Sequence, residues 1–459
     1  MTPRGLALAI ALACIAGALL FARPASTPGP VMRDFEAYWA AGSAWDRGAD
    51  PYSRAIWPAE RGVPGVDASR DEVLPFVGPP ATLLLWSALA RLPYALAASL
   101  WWFVLACALF ALILLVAAAA KAAGAFGTVA AVALAIAFGP VTSDLALGQV
   151  ALLALLGATA VASLSSTAGA FLATLQPNVA LGALSQLGRN RATLAMLAGG
   201  IVAYAAGALT AGAGWPVRYL ALLAAHGAAE GLSAIQLSPA AIAYGFGAGV
   251  ALRLAVSAVC AAGAIAAGIA IVLRLRGRDP FAAFAGCSAL VPFVAGFFHE
   301  HDLIVAFPAA VYAAVRARGA RRTIAAAGTL LVAIDWLGLA QRPTGAVQSA
   351  LLAAAALAAF AALGERSDLR AVLLPGALVG AILAGAVWLA SAHPAPIWPD
   401  ALGAFHAPPN ADVTTVWHDE TLASGLLAPN AVWALLRSLS LLGCALLVAA
   451  VTGSGDERV

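Results

Sequence analysis

The chain has 459 residues, 63% of them hydrophobic and only 10% charged, with a mean hydropathy of +0.91. Water-soluble domains are roughly half apolar and about a quarter charged, so this composition excludes a soluble globular protein; its backbone polar groups must be satisfied within helices or a closed barrel. The net charge of +3, with no block of Lys or Arg, gives no footing for a nucleic-acid partner.

The apolar runs are long and continuous rather than alternating, which selects helices. In chain order they fall near 5–22, 74–90, 94–118, 125–141, 148–164, 168–187, 192–211, 254–273, 280–298, 303–315, 323–340, 346–363, 371–390 and 430–450. The first, Gly5–Phe21 behind Arg4, is long for a signal-peptide core and has no A-x-A site after it, so it is read as an uncleaved helix. Cys14, Cys107, Cys260, Cys287 and Cys444 all sit inside apolar runs and read as small packing residues, not as disulfide partners or metal ligands. The excess of Ala suits close helix packing in a bilayer.

Orientation follows from the basic clusters Arg189/Arg191, Arg274/Arg276/Arg278, Arg316/Arg318/Arg321/Arg322 and Arg366/Arg370. Neighbouring clusters are two runs apart, so all four share one side, the cytoplasm. The opposite side then receives 23–73, 212–253, His299–Asp302, Gln341–Gly345 and 392–429, which hold nearly all the His and most of the Trp and acids. Counting every run as a full crossing puts Ser143–Gln149 in the cytoplasm. However, 74–90 is short and contains Pro79-Pro80, and 168–187 is interrupted by Gln176-Pro177-Asn178. If both are re-entrant, about twelve spans remain of fourteen segments, and Gly148-Gln149 moves to the outer face.

The first outer loop begins "RDFEAYWAAGSAWDRGADPYS", with Asp34 and Glu36 at its start. A short helix over 34–47 would be amphipathic, with Phe35, Tyr38, Trp39 and Trp45 on the bilayer surface. The acids are then either solvated interfacial charges or, for Asp34, a general base whose pKa desolvation raises toward neutrality. In "FFHEHD" a helical backbone puts His299 and Asp302 on one face and turns Glu300 and His301 away. No second His/Cys group stands at ligand spacing, so no metal is expected; His299 or His301 would instead orient a substrate, with Asp302 fixing the tautomer. Gln149 could hydrogen-bond a ligand or merely start a helix. Asp144 and Asp335 lie at run ends, and Tyr38 and Tyr52 are interface aromatics by default.

Taken in order, "DFEAYWAAGSAWDRGADPYS", "FVGPPATLLLWSALARLP", "LALGQVALLALL", "LATLQPNVALGAL" with "GRNRA", and "FFHEHDLIVAFPAAVY" resemble glycosyltransferase family 87 over roughly residues 1–320. These are polytopic GT-C transferases typified by polyprenol-phosphate-mannose-dependent α-1,2-mannosyltransferases. The resemblance implies an all-α GT-C-type bundle spanning 1–459 as one domain, in a bacterial plasma membrane. It implies a polyprenyl-phosphate sugar donor, a glycolipid or glycan acceptor outside the cytoplasm, and no cofactor. It makes Asp34 the base of an inverting displacement. Glu36, Tyr38, Tyr52, Gln149, Gln176, Asn178, His299, His301 and Asp302 become substrate-binding positions.

One position departs from the family pattern. Gln176 stands where Lys-Pro is common, so another cation must meet the donor phosphate; Arg253, Arg218 and Arg342 are the outward candidates. The Pro-rich loop 392–429, with Trp398, His406, Trp417, His418 and Asp419, is a candidate lid. The alternatives are a transporter or lipid flippase, for which no paired broken segments are evident, and an inactive relative, favoured only by Gln176.

Overall fold

The computed structural model describes residues 2–21, 30–122, 124–364 and 369–453, and these are helical with no strand among them. Arg366 and residues 23–29 of the expected first loop lie outside the described residues. The chain opens with α1 (Pro3–Phe21), α2 (Arg33–Asp46), the single turn α3 (Trp57–Glu60) and α4 (Leu83–Ala90). Next come α5 (Tyr94–Ala120), the pair α6 (Gly124–Ile136) and α7 (Gly139–Leu147) bent by 67°, and α8 (Ala151–Leu164). After α9 (Thr167–Ala173) and α10 (Pro177–Ala180) the chain builds α11 (Asn190–Ala211), α12 (Trp215–Glu230), α13 (Pro239–Gly245) and α14 (Val250–Leu275). It continues through α15 (Pro280–Ala289), α16 (Phe307–Arg316), α17 (Ala320–Ala333), α18 (Trp336–Gln341) and α19 (Ala346–Leu363), and closes with α20 (Leu369–Ala392), α21 (Val413–Ala423) and α22 (Ala431–Gly453).

Seven of these are long and apolar enough to cross a membrane: α1, α5, α11, α14, Pro343–Leu363 around α19, α20 and α22; the bent α6–α7 pair, taken as one span, makes eight. The other apolar runs of the sequence are shorter helices with breaks. Proline causes several of them, because it lacks the N–H that continues a helix. Pro177 separates α9 from α10, and Pro292 lies in a 3₁₀ turn after α15. Between α17 and α18 the break is a cap, the Asp335 carboxylate accepting from the Gly338 amide. Such irregular backbone is tolerated at membrane depth when protein surrounds it, and α16 and α17 are buried along most of their length.

The molecule has two chemically different ends. At one, Arg4 donates to Ala362 O, Arg189 to Ala162 O, Arg276 to Leu187 O and Arg322 to Ala361 O, so the described basic clusters gather together. At the other, Trp45 donates to Thr210 O, Arg54 to three carbonyls of Pro408–Ala411, and Trp433 to His393 O. Both proline-bearing runs double back. α4 begins and ends beside α2, through Ser87 and Arg91 on Asp46 and Trp39 on Leu92 O. The 168–187 stretch enters from the basic end, carries Gln176 inward to Asp302, and returns to Gln186, which is bonded to Arg189. Gly148-Gln149 lies beside α2, with Gln149 donating to Asp34.

Against expectation, α2 does not lie on a bilayer surface. Phe35, Glu36, Ala37, Tyr38, Ala40, Ala41, Gly42 and Ala44 are all buried, on more than one face of the helix. Small residues explain this, because they let α4 approach at backbone distance. A Cβ on Gly42 would come within 2.3 Å of the Trp86 carbonyl. Phe35 stacks on Trp101 and Tyr38 on Trp86, at centroid distances of 6.0 and 4.8 Å.

Candidate active site

α2 starts at Met32, in the left-handed region at φ 58°, and its first turn holds Asp34 and Glu36, where the positive end of the helix dipole favours carboxylates. Directly opposite, α7 ends on Gly148 at φ +77°. A side chain there would meet Phe35 Cβ at 2.9 Å and Met32 Cβ at 3.0 Å, so only glycine permits the contact. Trp101 fixes the turn by donating to Gly148 O at 2.7 Å.

This turn aims Gln149 at Asp34. Gln149 Nε2 donates to Asp34 Oδ2, and Tyr38 Oη donates to Gln149 Oε1 at 2.6 Å. Burial pushes the Asp34 carboxyl up to about 6, against the opposing pull of the Gln149 bond, His299 and Arg33. A carboxyl poised there is protonated about as often as not near pH 6, and ionised enough at neutrality to take a proton.

A second group converges from other parts of the chain. Gln176 Nε2 donates to Asp302 Oδ1 at 2.6 Å, and Asn178 Nδ2 lies 3.4 Å from Oδ2. The His299 amide donates to Asp302 Oδ2 at 2.9 Å. His299 Nε2 lies 2.6 Å from Glu230 Oε1 on α12, and Glu230 also accepts from Trp417 at 2.6 Å and from Gln236 at 2.7 Å. His226, one turn back on α12, is 3.2 Å from Glu230. Burial raises the Glu230 carboxyl, but the two histidines outweigh it and hold the group well below the usual range. Burial likewise lowers His299, and Glu230 more than reverses this, so its imidazole is raised.

The FFHEHD segment is not helical at His299: an irregular turn leads into 3₁₀ structure over His301–Ala306. This overturns the helical-face argument, because the turn stacks His299 and His301 at 5.1 Å instead of separating them. The ligand atoms of His299, His301 and Asp302 all lie within 4.8 Å of one another. Glu300 is not part of this group, and the charged neighbour that acts on it is Asp335.

Other expected residues fall outside this centre. Glu36 is buried on the far side of α2, 3.1 Å from Arg33, in a cluster with Glu72 and Glu60; two residues along a helix point in different directions. Tyr52 donates to Gly78 O and stacks on Phe76, which in turn meets Tyr38 edge-on. With Trp45, Trp215, Arg218 and Tyr219, Tyr52 lines a separate cavity of 630 Å³. Arg253 lies over the Tyr244 ring, Arg218 donates to Ala211 O, and Arg342 is exposed beside the α18 turn. None of these three pairs with Asp34, Asp302 or Glu230. The arginine that reaches Asp34 electrostatically, after His299, is Arg33, its neighbour in sequence, held by Glu36, Glu72 and the Trp398 ring.

The loop after α20 lies over the first loop. Asp71 and Phe405 share a backbone bond of 2.9 Å, Val73 N donates to Glu420 Oε1 at 2.8 Å, and Trp398 covers Arg33. Three residues of this neighbourhood, Arg33, Glu230 and Gln236, were not singled out from sequence, and Asp144 was read only as an acid at a run end. Glu230 did carry a signal, because it is the only acid between 212 and 253 and stands four residues after His226. No protein-family model, curated protein or solved structure matches the chain.

Proposed function

We propose that the chain is a membrane glycosyltransferase that moves a hexose, mannose favoured, from a polyprenyl-phosphate donor to a glycolipid or glycan acceptor on the non-cytoplasmic face of a bacterial plasma membrane. About twelve passes and two re-entrant segments of a GT-C-type bundle would frame that site. The observation that carries the reading is convergence: Asp34 with Gln149, and Gln176, Asn178 and His299 with Asp302, come from four separated stretches and form two hydrogen-bonded groups, with His299 within electrostatic reach of Asp34. The same four stretches supply most of the family resemblance.

In this reading Asp34 takes the proton of the acceptor hydroxyl as that oxygen attacks the anomeric carbon. The new C–O bond forms as the bond from the anomeric carbon to the phosphate oxygen breaks, and polyprenyl phosphate leaves as an anion that needs no strong acid opposite the base. Gln149 orients Asp34, and Tyr38 orients Gln149. Gln176 and Asn178 hold Asp302, which positions the His299 backbone.

Transfer of radiolabelled mannose from synthetic polyprenyl-phosphate-mannose to a membrane lipid extract tests the proposal. Turnover by the purified protein that Asp34→Asn abolishes without loss of folding supports it. No turnover with any of several lipid-phosphate sugars would move the assignment to a transporter, a flippase or an inactive relative.

A further inference from the structure

Asp302 has a second buried carboxyl, Asp144, in its neighbourhood. Asp144, on α7, is fully buried, and its carboxylate has no side-chain partner, only the Leu152 backbone nearby. It is close enough to Asp302 and to Asp34 to be repelled by each of them. Gln176 Oε1, on the amide that serves Asp302, is also buried and unpartnered. No Lys or Arg among the described residues forms an ion pair with Asp144 or Asp302. Buried carboxylates and carbonyl oxygens left in this state are costly unless a hydrogen-bond donor or a cation meets them.

The donor atoms are arranged for a cation. His299, His301 and Asp302 bring their ligand atoms within 4.8 Å of one another. His299 uses Nε2 on Glu230 at 2.6 Å, which leaves Nδ1 free to coordinate. An imidazole whose far nitrogen is held by a carboxylate is the usual second-sphere arrangement of a metal-bound histidine. Asp302 already accepts from Gln176 and the His299 amide, yet each carboxylate oxygen has a second lone pair. Two imidazoles and a carboxylate suit a divalent transition ion, Zn²⁺ before Mg²⁺ or Ca²⁺, and three protein ligands leave coordination open to an anion.

We propose that His299, His301 and Asp302 bind a divalent transition-metal ion, with Gln176 holding Asp302 from the Gln176-Pro177 break and Asp144 close by on α7. The ion supplies the positive charge that Gln176 does not, and its open position accepts an oxygen of the donor phosphate. That role rests on the proposed transfer reaction; the binding itself does not.

The experiment is elemental analysis of the full-length protein in detergent, stripped with chelator, reloaded with Zn²⁺ and desalted. The expected result is about one Zn²⁺ per chain, retained by the control His406→Ala and lost in His301→Ala and Asp302→Asn. Glu230→Gln should keep the stoichiometry with affinity roughly 10–100-fold weaker, as for removal of a second-sphere partner. Co²⁺ in place of Zn²⁺ gives a reading that needs no variant: visible absorption showing nitrogen ligation in the wild type supports the site, and a hydrated-ion spectrum overturns it. Absence of stoichiometric Zn²⁺ in wild type also overturns it. Transfer that survives in metal-free protein would refute the ion's role and leave the transferase reading intact. Bound metal without any transfer would do the reverse.

Discussion

Asp34 and Gln149 are coupled by one hydrogen bond, and that bond has a definite sign. Burial raises the Asp34 carboxyl to about 6, while Gln149 lowers it. A base must be ionised, so kcat/KM should rise with pH through about 6 and level off above it. Gln149→Leu removes the lowering contribution, and the acidic limb should move to higher pH; a limb that stays in place would mean Asp34 is not the group titrating. Asp34→Asn should cost about 10²–10⁴-fold in transfer, the range of general-base catalysis, with an unchanged size-exclusion profile. At this scale the sequence was informative about identity and poor about direction. Asp34, Gln149, Gln176, His299 and Asp302 were legible as polar residues in apolar surroundings. Glu36, given a substrate-binding place by the resemblance, turns instead to Arg33, a direction that its closeness to Asp34 in sequence does not reveal. Arg33 was passed over because its partner Glu72 lies 39 residues away.

The element that sets this geometry is the short junction between α7 and α8. Gly148 in its left-handed conformation lets α7 end against Phe35 and points Gln149 back at α2. Gly148→Ala should destabilise the protein by about 1–3 kcal/mol, the usual cost of a strained non-glycine backbone, and weaken transfer beyond its loss of stability. Thermal unfolding beside kinetics of the folded fraction separates the two effects. The run boundaries in the sequence located the long apolar helices, because lipid imposes long apolar stretches, but α12, α13 and α21 lie in stretches read as outer loops. The boundaries did not show which runs cross and which double back. That depends on contacts such as Gln176 with Asp302 and Trp39 with Leu92, which have no local signature. The amphipathic pattern of α2 was similarly ambiguous, since an apolar stripe fits a bilayer surface or a protein interior equally well.

Across the whole molecule, the charges at the two ends make opposite kinds of claim. If the basic end is cytoplasmic, an impermeant thiol reagent should label Arg189→Cys only in inverted vesicles and Ser53→Cys only in intact cells; the opposite pattern would overturn the orientation. At the other end, Arg33 is shared by Glu36 and Glu72, all three being largely buried. Arg33→Ala should cost about 3–5 kcal/mol in unfolding, because it strands a buried carboxylate. Glu420 is raised by burial from 4.5 to about 8. The folded state therefore holds this proton more tightly than the unfolded chain, and stability falls as pH climbs from about 4.5 to about 8. Glu420→Gln should flatten that part of the curve of unfolding temperature against pH.

The bond from the Val73 amide to Glu420 spans 347 positions of chain, and Arg54 reaches the carbonyls of Pro408 and Pro409 across as great a separation. A ribosome makes the first partner of each bond long before the second. During synthesis, then, the loop carrying Asp34 emerges with Val73 and Arg54 uncovered, and stays so while most of the spans are inserted. Only when residues 393–430 have been delivered to the same side can the cover close. If the chain is the proposed transferase, its activity should appear with the arrival of α21 rather than grow as helices accumulate.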